Sequence, residues 1–116
     1  MISLSYNSLI CRVGYDFTGN GQGRGARAPE VMTTEWQNIV MTYDGALTKL
    51  YRNGVEVAQA ANNGLSGNPE YNLILGRRSE YGALFFHGLM DEVRIYNRAL
   101  DPATIKCLYD RYKPAQ

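Results

Sequence analysis

Residues 36–54 read WQNIVMTYDGALTKLYRNG, and their punctuation decides the fold. An apolar run over 36–43 ends at Asp44-Gly45. A second, over 47–52, ends at Asn53-Gly54, and a third, over 55–58, follows at once. Asp-Gly and Asn-Gly supply the positive φ angles that tight turns need, at small steric cost. Three strand-like runs separated by two such turns predict an antiparallel meander at the centre of a sheet.

Period-two patterning extends outward from this meander. Ile2, Leu4 and Tyr6 alternate with Ser3 and Ser5, and Asn7-Ser8 offers a two-residue loop. Leu9, Cys11, Val13, Tyr15 and Phe17 then share one face of a longer run, with Ile10, Arg12, Gly14 and Asp16 on the other. The pair predicts a half-buried hairpin. Residues 18–30, TGNGQGRGARAPE, predict a solvated loop. Its glycines resemble a phosphate-binding loop only superficially. A dinucleotide fingerprint follows a strand and opens a helix, whereas here Pro29 and another strand follow.

Beyond the meander, NNGLSGNP over 62–69 is turn-rich. Residues 71–76 and 83–87 predict short strands, and 89–97, LMDEVRIYN, the last one. In that strand Leu89, Asp91, Val93 and Ile95 fall on one face, with Met90, Glu92, Arg94 and Tyr96 on the other. The chain closes in its single helical pattern. Asp101 suits the N-cap and Pro102 the first helical position. Ile105, Leu108, Tyr109 and Tyr112 follow on one apolar face, and Pro114 lies beyond the end. This helix is expected to pack across a sheet edge or an end of the fold. The fold class is therefore all-β, an antiparallel β-sandwich with one short C-terminal helix, forming a single domain over 1–116.

Composition narrows the function classes. The formal charge is +1 with mixed signs, so no global nucleic-acid or membrane footprint is expected. No apolar run approaches the roughly 20 residues of a membrane helix. The opening MISLSYNSLI lacks a basic segment and a long apolar core, so no signal peptide is read there. Either the chain is cytosolic as written or a leader has been removed. Nine tyrosines and twelve glycines fit strands joined by tight turns. Cys11 and Cys107 are expected as reduced thiols, because a disulfide needs an oxidising compartment and specific geometry.

WQNIVMTYDG followed by LYRNGVEVA, then LILGRR and HGLMDEVRIYNRALDPATI, resembles the signature of laminin-G-like, concanavalin-A-like jelly-roll domains. The resemblance covers roughly residues 35–110. It implies a jelly-roll sandwich, a family often found outside cells, and a binding module for carbohydrate or glycoconjugate. Members usually carry further strands before the position where this chain starts, so the chain is expected to be a truncated or minimal version. Missing strands leave open edges and an uncovered apolar face, and self-association as a homodimer or larger assembly is expected to cover them.

Among polar residues, Asp91 carries the most information, because its strand phase places a carboxylate in an apolar layer. There it must be paired, hydrogen-bonded or metal-bound. Hydrogen bonding that fixes the Gly88 turn satisfies it. By resemblance, Asp91 also matches a calcium-ligand position, although the other ligands usually come partly from strands this chain appears without. For sugar binding, Tyr81 and Phe85 offer amphipathic rings, with Arg77, Arg78 and Glu80 nearby, and Tyr15 and Arg24 as secondary candidates. Arg24 and Arg27 could also meet an anionic ligand or RNA. Trp36 is expected in the core and His87 in a structural or surface role. Glycosidases need two convergent carboxylates about 5–9 Å apart. Asp91 and Glu92 are adjacent and point to opposite faces, and no E-x-D-x-E strand occurs. The expectation is therefore a non-enzymatic binding module. Its rival is a structural or interaction domain whose incomplete sandwich drives assembly.

Overall fold

The computed structural model describes residues 2–5, 8–13, 24–28, 33–61, 75–76 and 85–113. They form two three-stranded antiparallel sheets and one helix. The first sheet is β1 (Ile2–Ser5), β2 (Ser8–Val13) and β3 (Arg24–Ala28), in that order. The second is β4 (Ile39–Tyr43), β5 (Leu47–Arg52) and β6 (Val55–Ala61). Helix α1 (Pro102–Tyr112) follows. Among the described residues no helix is long and apolar enough to cross a membrane.

The expected meander is present, and its turns work through the chemistry their residues supply. Arg52 faces Val55 across a two-residue turn in which Asn53 and Gly54 both take positive φ, 52° and 79°. This is the arrangement whose twist matches the flanking strands. Asn53 also ties off the neighbouring strand: its N–H donates to the Asn38 carbonyl at 2.9 Å, and its Oδ1 accepts from Asn38 N–H at 3.0 Å. At the other turn, Asp44 Oδ1 accepts from the N–H groups of Ala46 (2.9 Å) and Leu47 (2.7 Å), with Gly45 at φ 99°.

Gly54 meets a second constraint. A Cβ there would lie 2.9 Å from Lys106 Cδ and 3.1 Å from Tyr109 Cδ1. The turn therefore abuts the helix. Gly54→Ala is expected to lower the unfolding free energy by about 1–2 kcal/mol from the left-handed backbone alone. Urea unfolding checks this, and the helix contact adds to the loss.

Core residues sort onto two faces of the second sheet. Leu50 is fully buried in a cluster with Ala26 and Ala28 of β3, flanked by Ile39, Met41, Val57, Ala58 and Ala60. Its neighbour Tyr51 belongs to a different cluster, with Leu100, Ile105, Val40 and Leu108. Successive strand residues point to opposite faces. So β5 carries the first sheet on one side and the helix on the other. The register agrees: Met41 opposes Leu50, and Val40 opposes Tyr51. An irregularity beside Leu50 and Tyr51, where Ala58 and then Glu56 are opposed, leaves Val57 as an extra residue in β6.

Several expectations change. The first hairpin closes at Ser5 opposite Ser8, so Ser8 is a strand residue and not part of the loop. Residues 24–28, expected as part of a solvated loop, are β3, paired with β2 from Val13–Arg24 to Leu9–Ala28. The reason is the buried pair Ala26 and Ala28: small side chains let β3 approach Leu50 closely, which outweighs the poor strand propensity of Gly and Ala. Trp36 is not core. It is half exposed and precedes β4, which begins at Ile39. The helix packs on a sheet face through Ile105 against Tyr51, and its Lys106 and Tyr109 also meet the 53–54 turn at the end of that sheet, in keeping with the expected end packing.

Residues 89–97 do not form a strand. A strand needs a neighbour to pair with, and no strand among the described residues runs beside them. Glu92 also takes φ 53°, which interrupts extended backbone. The other two predicted strands are represented only by Leu75, Gly76 and residues 85–87. Phe85 makes an isolated bridge, and Phe86 N–H donates to the Gly76 carbonyl at 2.7 Å.

Candidate functional site

The site builds from residues 85–96, where exposed apolar side chains concentrate. Phe85 is 57% exposed, and Phe86, Leu89, Met90, Val93, Ile95 and Tyr96 are also open to solvent. Monomeric proteins rarely leave so many neighbouring large apolar groups uncovered unless the surface binds something. Phe86 folds back on Gly88, where an added Cβ would meet its ring at 2.9 Å. Glycine thus permits the close turn that presents this segment.

One basic residue anchors the segment. The Arg94 guanidinium lies 4.3 Å from the centroid of the Tyr112 ring on α1 and 2.5 Å from Glu92 Oε2. Tyr112 above all, then Tyr96 and Glu92, hold Arg94 above its ordinary pKa. Arg111 approaches the same ring at 5.6 Å. Nothing local in the sequence links Arg94 to Tyr112; only the placement of the helix does.

Asp91 differs from its expected setting. It is exposed and does not enter an apolar layer, because its strand is absent. Its Oδ1 accepts from the next residue, Glu92 N–H, at 2.8 Å, which fixes the backbone at Glu92 rather than at the Gly88 turn. Calcium takes six to eight oxygen ligands. Among the described residues no group of three or more His, Cys, Asp and Glu could hold a metal ion, and Glu92 is engaged by Arg94. The described residues alone do not fit a calcium shell at Asp91.

The remaining candidates divide as follows. Phe85 is exposed in the segment just described. Arg24 lies in β3, where only its backbone is described. Tyr15, Arg77, Arg78, Glu80 and Tyr81 lie outside the described residues. His87 is exposed, and Cys107 is an exposed free thiol on α1.

The helix that carries Tyr112 has its own electrostatic support. Asp101 Oδ1 accepts from Thr104 N–H at 2.7 Å, and that bond holds its carboxyl below the ordinary value. The backbone bonds from Leu47 and Ala46 do the same for Asp44, and Lys106 does so for Asp110. A carboxyl depressed in the folded state stabilises the fold above its unfolded pKa of about 3.9, and that stabilisation is lost as pH falls through the folded value. The melting temperature is therefore expected to decline as pH drops below about 4. Asp44→Asn combined with Asp101→Asn should flatten that decline while retaining both acceptors, as melting curves across pH will show.

A family model described as the concanavalin A-like lectin/glucanases superfamily matches residues 5–106. The chain belongs to this superfamily. No curated protein matches it. Among solved structures, it is similar to an S-layer domain-containing protein (residues 221–444) from Clostridium thermocellum. The TM-score is 0.57 at 23% identity, covering 88% of this chain and 50% of that one. This superfamily member thus spans about half the length of the structure it matches, and the likeness bears on fold. Its two antiparallel sheets and terminal helix are the mostly-β arrangement the match implies.

Proposed function

We propose that this superfamily member is a non-catalytic module that binds carbohydrate or glycoconjugate, built on a jelly-roll sandwich. Membership across residues 5–106 carries the reading. Phe85 supports it as an accessible aromatic ring of the kind that stacks on a pyranose face. The proposal also names Tyr81, Arg77, Arg78, Glu80, Tyr15 and Arg24 from the sequence as sugar contacts. Calcium at Asp91 would require ligands beyond the described residues.

A glycan array probed with the purified chain, with and without calcium, tests this reading. Binding that is lost in Phe85→Ala, with the melting curve unchanged, is the expected result. Correctly folded protein with no glycan hit would remove it. A dependence of binding or melting temperature on calcium would support the metal.

A second reading rests on a separate observation, the exposed apolar run from Phe85 to Tyr96. In it the module serves assembly, and copies of the chain cover one another's open surface.

A further inference from the structure

Residues 89–97 have the alternation of a strand and no strand beside them among the described residues. Their large apolar side chains lie outside: Leu89 is 77% exposed, Ile95 72% and Val93 53%. Glu92, with φ 53°, departs from extended backbone, and its N–H donates to the Asp91 carboxylate. A strand completed by another chain must supply both backbone partners and matched side chains.

The charges in this segment select one such partner. In antiparallel pairing with its own copy, a two-fold axis at Val93 sets Glu92 opposite Arg94 of the second copy, and Arg94 opposite its Glu92. Met90 then faces Tyr96 in both directions. Centring the axis on Asp91 or Glu92 opposes carboxylates, and centring it on Arg94 opposes guanidiniums; like charges directly opposite destabilise a ladder. Centring between residues would place one face of the first copy against the other face of the second. Closed two-fold pairing of this kind is also the commonest form of self-assembly.

We infer that residues 89–97 form an intermolecular strand pair with a second copy of this chain, with the two-fold axis at Val93. The inference rests on the assembly reading given above and names its contact. Forming the pair turns Glu92 to extended backbone and exchanges one Glu92–Arg94 ion pair within each chain for two between chains. The Val93 side chains meet at the axis, and Met90 and Tyr96 of the two copies cover one another.

Sedimentation equilibrium of the whole chain tests this, together with Glu92→Arg, Arg94→Glu and the double variant. Each single change opposes like charges twice and is expected to weaken the dimer by about tenfold or more, and the double variant to restore it. A second measurement is oxidation of Val93→Cys in a background in which both natural thiols are removed, Cys11→Ala and Cys107→Ser. Val93 is exposed, so the substitution spares the core. A crosslinked dimer is expected for Val93→Cys but not for Ile95→Cys, which would face Asp91 of the other copy. A dimer indifferent to both charge changes, or crosslinking at position 95 and not at 93, overturns this pairing and leaves the assembly reading standing. A wild-type chain that stays monomeric overturns both.

Discussion

Leu50→Ala is expected to lower the unfolding free energy by about 2–5 kcal/mol, the range for truncating a buried leucine. Leu50 has 0% exposure and lies against Ala26 and Ala28. The two alanines cannot extend to fill the void, so collapse must come from β3 moving toward β5 or from the flanking Ile39, Met41 and Val57. Small domains have total stabilities of about 5–15 kcal/mol, so the variant should be partly unfolded at mild denaturant. Urea titration followed by tyrosine fluorescence measures the change. A loss near zero would mean that the first sheet does not rest on Leu50.

Ile105→Ala should have an effect of similar size, about 2–5 kcal/mol, from the other side of the same sheet. Ile105 is 1% exposed and packs with Tyr51 and Leu100, with Val40 and Leu108 beside them. Burial pushes the Tyr51 phenol above its ordinary pKa, with Glu56 and Asp101 adding to the shift. The variant should therefore bring tyrosine ionisation nearer its ordinary range as well as lower stability. Denaturant unfolding by circular dichroism gives the first quantity, and an absorbance titration at alkaline pH the second. A stability loss without a change in the titration would mean that Tyr51 stays covered when the helix loosens.

Where the sequence was legible, the determinants are local. Asp44-Gly45 and Asn53-Gly54 fix their turns through their own backbone and side chains. Asp101 and Pro102 likewise mark the helix start, where the structure has an N-cap bond to Thr104. The superfamily match over residues 5–106 agrees with the resemblance read from the strand and turn order.

Where it was not legible, the determinants lie between segments. The Arg24–Ala28 segment looks like loop by composition and becomes a strand because Ala26 and Ala28 fit under Leu50. Residues 89–97 show the reverse. Alternation reports which residues would share a face, but it cannot supply the neighbouring strand. The sequence pattern therefore points Asp91 into an apolar layer that the described structure lacks, and Trp36 into a core that begins only at Ile39. Of the proposed sugar-contacting side chains, only Phe85 falls where its exposure is described.

The alternation of Leu50 and Tyr51 along β5 has a consequence for how the molecule comes apart. Neighbouring residues of one strand are committed to opposite layers, so neither layer can be shed without disturbing the backbone that serves the other. Opening events that stay local at the ends of α1 or in residues 89–97 leave β5 intact. Its amide protons are therefore expected to be the slowest among the described residues to exchange with deuterated water, because β5 serves both small cores.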